Sequence, residues 1–177
     1  SITTENTTGI LRLGTGSGSI RVANARGEVT LDTGSGSIEV EGVDSDVLVV
    51  DTGSGSVRGS DISARSLRLD TGSGGIRLDR VRGEEVFLDT GSGGVEVELL
   101  SAPRHLTVDS GSGSVTVRVP ASLGASIEAR TGSGGIEVGF PMQVSRASRG
   151  RLSATVGDGS GRIRIESGSG NIRIVSH

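Results

Sequence analysis

The chain contains no cysteine, tryptophan or tyrosine, only two phenylalanines, two histidines and three prolines among 177 residues, and no lysine, since all 18 basic positions are arginine. Without cysteine there is no disulfide framework, thiolate metal site or thiol chemistry. Without aromatic side chains there is no stacking platform for bases, and a formal net charge of -3 supplies no drive toward nucleic acid. No apolar run approaches the roughly 20 residues of a membrane span, and no signal peptide or transit pattern is present. The chain opens at Ser1 rather than Met, which leaves room for a removed leader. Any core must be built from Val, Ile and Leu.

What is abundant is glycine, 31 residues of it, and it recurs in one string. TGSGSI or a close relative begins at Thr15, Thr33, Thr52, Thr71, Thr90, Ser110 and Thr131, at intervals of 18, 19, 19, 19, 20 and 21, with DGSGRI from Asp158 and SGSGNI from Ser167. A fixed period near 19 means one supersecondary unit stacked many times. The last intervals, 27 and 9, sum to 36, close to two further periods, with the Asp158 corner half a turn out of phase.

Aliphatic residues alternate on both sides of each corner, as in Val29/Leu31 before and Ile38/Val40 after it. Period-two alternation rich in β-branched residues is a strand signal, and no helical period survives two turns. The expected fold is therefore all-β, a parallel β-solenoid of about eight turns, each with two short strands and a Gly-Ser-Gly corner, around an aliphatic core. An antiparallel barrel would not require like residues to align, whereas here every turn offers the same columns. The single domain, 1–177, divides into a polar leader or cap (1–8), regular turns, an irregular insertion (139–150) that is a plain turn or a flap over the core, and C-terminal turns (151–177).

Several columns are candidate sites. Asp32, Asp51, Asp70, Asp89 and Asp109 precede successive corners, and Asp32-Thr33-Gly34-Ser35 matches the hydrophobic-Asp-Thr-Gly-Ser signature of aspartic proteases. That chemistry needs two carboxylates meeting across a cleft and sharing a proton, whereas stacking puts these five in a file. Their mutual repulsion must be offset. An Asx turn to the N–H of Gly34, Gly53, Gly72, Gly91 or Gly111 does this locally, and a ladder of calcium ions does it with all-oxygen ligation; Gly14 and Arg130 close the file. A Thr column (Thr33, Thr52, Thr71, Thr90, Ser110, Thr131) and a Ser column (Ser35, Ser54, Ser73, Ser92, Ser112, Ser133) are expected to point inward and hydrogen-bond along the stack; facing water, both together would resemble an ice-binding surface. Val49 and Phe87 fall on one outward column as a candidate contact patch. His105 lies in a variable corner and His177 at the terminus, with no Ser/His/Asp set around either.

The run of hydrophobic-x-hydrophobic-Asp-Thr-Gly-Ser-Gly units, with the closing Gly161-Arg162-Ile163-Arg164-Ile165 and Ser167-Gly168-Ser169-Gly170-Asn171-Ile172, resembles a bacterial adhesin-type family of unknown function with β-strand repeats. The resemblance runs from about Gly9 onward and implies an exported or envelope-associated protein without an established enzyme activity. The functional expectation is a non-enzymatic, exported or cell-surface structural module, acting as a rigid scaffold or spacer toward an unknown protein or surface glycan. The alternatives are an end-to-end self-assembling filament, in which Ile172–Val175 presents an open terminal rung, and a polysaccharide-binding β-helix. No cofactor other than the possible calcium is expected.

Overall fold

Aliphatic side chains at alternate positions and a glycine corner every nineteen or so residues leave the chain one economical option, which is to coil so that each turn buries its apolar face against the turns above and below. A computed structural model describes all 177 residues and shows this all-β parallel solenoid, with 14 strands and no helix. The first five turns are each one strand: β1 (Ile2–Thr15), β2 (Ile20–Thr33), β3 (Ile38–Thr52), β4 (Val57–Thr71) and β5 (Ile76–Thr90). They stack in parallel and in register, with Ile20 over Ile2, Ile38 over Ile20 and Thr33, Thr52, Thr71 and Thr90 in line. Residues 1–8 are thus no cap. All but Ser1 lie in the first rung, and β1 leaves its outer edge unpaired.

Each of these strands runs through the variable corner without a break, so a turn has two arms but one continuous strand. The bend is made by a column of left-handed residues: Asn6, Asn24, Gly42, Asp61 and Arg80, with φ of 54°, 52°, 63°, 53° and 54°. Asn, Asp and Gly tolerate this region. Arg80 does not favour it, and it is fastened there by an ion pair to Asp61 on the rung below and by its backbone N–H, which donates to Glu98 Oε2 at 3.3 Å.

Beyond Thr90 the arms separate into β6 (Val95–Leu99), β7 (His105–Ser110), β8 (Val115–Val119), β9 (Ala125–Thr131) and the short β10 (Ile136–Val138). The chain then forms a hairpin, β11 (Gln143–Ser148) and β12 (Arg151–Val156), and returns as β13 (Gly161–Ser167) and β14 (Ile172–Ser176). The return is not a further turn at the end of the stack. β13 lies between β7 and β9, parallel to both, with Ser167 aligned on Ser110 and Thr131; β14 lies between β8 and β10. From β8 to β10 the chain therefore climbs two strand spacings per turn, roughly 10 Å, and its C-terminal segment fills the vacant rung. The last turn is locally two-stranded in winding.

This arrangement corrects three expectations. The regular coil has about six turns rather than about eight. Residues 139–150 leave the parallel repeat but are more than a plain turn: Gln143–Ser148 within them is an exposed antiparallel strand, and Phe140 and Met142 before it pack against the core. Ile172–Val175 is not an open terminal rung, since β14 is flanked on both sides; the stack ends at the antiparallel hairpin, with β12 on β9 and β11 outermost. The physical cause is that repeated columns make every corner compatible with every other, so register alone does not dictate sequence order.

The interior is one cluster of 37 buried apolar residues, all of them Val, Ile, Leu or Ala. The corners close it tightly. A Cβ on Gly36, Gly55, Gly74 or Gly93 would fall well inside 3.0 Å of the preceding rung's carbonyl group, so backbone lies directly on backbone there and no side chain fits.

Candidate functional site

The corner itself is a hydroxyl clasp. The Thr33, Thr52, Thr71 and Thr90 side chains are at most 1% exposed. Each Oγ1 donates to a glycine carbonyl on the rung below, as Thr71 to Gly55 at 2.9 Å, and accepts the N–H of the glycine three residues on, as Gly74 to Thr71 at 3.1 Å. Ser110, Thr131 and Ser167 repeat the arrangement in the irregular end. Both capacities of the hydroxyl are used, so the column is structural and unavailable to a ligand.

The Ser column does not join it. Ser35, Ser54, Ser73, Ser92, Ser112 and Ser133 are all exposed. The corner turns within Gly-Ser-Gly, so the alternation counted from Leu31 holds at Thr33 and is lost two residues later. One rank of hydroxyls therefore faces water, not two, and the interior hydrogen bonds belong to the column of Thr33, Thr52, Thr71, Thr90, Ser110, Ser167 and Thr131 alone.

Asp32, Asp51, Asp70, Asp89 and Asp109 form an outward file, one per rung. The expected Asx turns are absent. The N–H groups of Gly34, Gly53, Gly72 and Gly91 donate to the carbonyls of Thr15, Thr33, Thr52 and Thr71 at 3.1 Å, because stacking offers them a backbone acceptor first. Nor does a metal cage form: no group of three or more acidic or imidazole side chains converges anywhere in the chain. A file one carboxylate wide gives each gap two ligands from a single side, fewer than the six to eight oxygens calcium takes. Instead the repulsion is carried as a shift in acidity. Asp51 is pushed up by partial burial and then by Asp70 and Asp32, and Asp89 by partial burial and then by Asp70 and Asp109; Arg68 pulls both down.

The winding extends this file in a way sequence order conceals. Glu166 of β13 stands beyond Asp109, and Arg130 and Arg151 follow it. Glu166 is bonded by Arg164 at 2.7 Å and faces Arg130 at 3.8 Å, while Arg130 also pairs with Glu128. On the other arm the outward column after the corner reads Arg21, Glu39, Arg58, Arg77, Glu96, Thr116, then Arg173 from β14, then Glu137. Arg21–Glu39 and Arg77–Glu96 close at 2.6 Å, and Arg118–Glu96 and Arg173–Glu137 at 3.0 Å. These exposed pairs set register more than stability.

Val49 and Phe87 share their outward column with Arg68 between them. The Arg68 guanidinium lies 4.6 Å from the Phe87 ring centroid, so a cation covers the aromatic face and no continuous apolar patch results. His105 is exposed and lies in register with Glu85 of β5 without forming an ion pair to it, and His177 Nε2 lies 2.9 Å from the Leu99 carbonyl oxygen; neither has a hydrogen-bonded nucleophile. The left-handed column was missed in the sequence although its signal is there, in Asn6, Asn24, Gly42 and Asp61 at equal phase.

The family model described as Toastrack DUF4097 matches residues 2–175. No curated protein matches, and no solved structure matches. The chain belongs to the Toastrack DUF4097 family, whose function is unknown, and the match says nothing of adhesion.

Proposed function

We propose that the domain is a non-enzymatic, exported scaffold at the cell surface, a rigid spacer whose outward columns present charge and hydroxyl groups to a protein or glycan partner. The observation that carries this reading is the filled interior. Apolar side chains occupy the whole lumen, backbone meets backbone at the corners, and the concavities are open grooves on the outside. A lumen without room for a ligand suits a beam better than a catalyst, and the two histidines stand apart from any nucleophile. The exported location follows from the sequence resemblance and remains part of the proposal.

End-to-end assembly is the weaker reading. It would place β1 of one copy against the far end of another, and that end is uneven: one arm finishes at β10 while the other continues through β12 to β11. The reading is tested by fractionating cells that express the native gene and by capture from envelope extracts with the intact domain. Recovery in the envelope fraction with a retained partner supports it. Recovery only in the cytosol sinks the surface assignment, and turnover by the purified domain in a hydrolase and lyase panel sinks the non-enzymatic one.

A further inference from the structure

The acidic file changes sign at one place. After Asp109 and Glu166 come Arg130 and Arg151, and the turn joining β11 to β12 adds Arg149. Residues 143–156 contain Arg146, Arg149 and Arg151 and no acidic residue. Between this turn and the corner of β9 lies an open groove of about 540 Å³, with no hydrophobic residue in its lining. That volume is in the range of small-ligand sites.

The groups facing the groove that lack a partner are donors. Of its two carboxylates, Glu166 is engaged by Arg164 and Arg130, and Asp109 lies a rung further away. Arg149 and Arg151 have no carboxylate within 4.0 Å. The backbone N–H groups of Arg149 and Gly150 have no acceptor, with Gly150 at φ 72° fixing the turn. Arg130 forms the inner wall, paired with Glu128 and facing Glu166, with its buried Nε unpartnered. Guanidinium forks and successive backbone N–H groups around a polar concavity are the chemistry that recognises an oxyanion.

We propose that the groove between the Arg149–Gly150 turn and Arg130 binds an oxyanion group, a phosphate, sulfate or carboxylate, free or carried on a saccharide. The site exists only in the wound structure, because its arginines come from β9 and from the hairpin, and β13 neutralises part of the wall. It is independent of the scaffold reading, since an enzyme or a spacer could equally hold the group.

The test is an amide NMR titration of the full chain with inorganic phosphate, with sulfate and with a uronic-acid disaccharide, each against sodium chloride at matched ionic strength. Saturable shifts confined to Arg130, Arg149, Gly150 and Arg151 are expected. The Arg149→Ala/Arg151→Ala variant, and the longer neutral pair Arg149→Gln/Arg151→Gln, should bind at least tenfold more weakly, while Arg162→Ala, an unpaired arginine outside the groove, should bind as the parent does. Tighter binding of the disaccharide than of the inorganic ions identifies a saccharide-borne group, and the reverse a free ion; either supports the site. Shifts that chloride reproduces, or an equal loss in Arg162→Ala, overturn it.

Discussion

Strands β1 to β5 and the β7–β13–β9 stack use the same Gly-Ser-Gly corner and the same hydroxyl clasp, threonine in the first and mostly serine in the second, but they are assembled by different rules. In the first region every rung lies on its immediate predecessor, 18 or 19 residues away. In the second, β13 lies between two earlier strands, and its Ser167 hydroxyl donates to Gly113, 54 residues back. The first can grow by adding one turn to the last, each closing a short loop. The second must wait for the chain end, and pays for a longer closure. Identical corners make both possible: the columns specify what may lie over what, without specifying order.

The largest test of this contrast removes the inserted rung. Ending the chain after Val156 exposes the places of Ile163, Ile165, Ile172 and Ile174, each 0% exposed in the complete chain. At roughly 1.5–3 kcal/mol for each buried side chain, the loss rivals the stability of a whole domain. Hydrogen exchange should show β7 to β12 losing protection while β2 to β4 keep theirs; uniform loss would mean the two regions fold as one unit.

A smaller effect is expected from Gly74→Ala in the regular region. The new Cβ meets the Gly55 backbone carbonyl, which cannot move without shifting its rung, and the cost should be about 3 kcal/mol in urea unfolding. At Gly16, the first-corner equivalent of Gly72 in the neighbouring glycine column, the same substitution meets nothing within 4 Å, because no rung lies below it, and should be nearly silent, whereas at Gly72 the new Cβ meets the Gly53 carbonyl oxygen. Equal costs would contradict the direction of stacking.

Thr71→Val keeps the shape of the clasp and deletes its oxygen, leaving the Gly55 carbonyl and the Gly74 N–H without their side-chain partner. A loss of about 1–3 kcal/mol is expected. Ser73→Ala, one column outward and exposed, should change stability by under about 0.5 kcal/mol.

The smallest effect concerns acidity. Asp51 and Asp89 are raised above the ordinary 3.8, so the folded chain binds more protons than the unfolded one just above that pH, and this contribution to stability falls as pH rises through the window. Asp61, Glu128 and Asp158 are lowered by hydrogen bonds from Arg80, Arg130 and Ser160, and their contribution is lost as pH falls. Asp51→Asn/Asp89→Asn should therefore gain less than about 1 kcal/mol at pH 7, the file being mostly solvated, and nothing at pH 3. A gain that is the same at both values would show that repulsion along the file is not its source.

Much of the fold was legible because stacking writes itself as columns. Leu31, Val50, Leu69 and Leu88 recur in phase, and so do Thr33, Thr52, Thr71 and Thr90. The Ser column was misread because alternation is a property of strands, and Ser35 and its equivalents sit inside a bend. The aspartates were expected to bond to their own corners, a local option that the longer-range backbone ladder displaced.

The repeat thus determined the parallel coil, the aliphatic interior and the glycine corner by itself, since each follows from residues a fixed distance apart meeting their own kind. Which rung follows which in the last third, the hairpin that closes the stack, and the placing of Glu166, Arg130, Arg149 and Arg151 around one groove were decided only in three dimensions. Equivalent corners pair with nearly equal energy, and the choice among them rests on loop length and on the packing of the whole end.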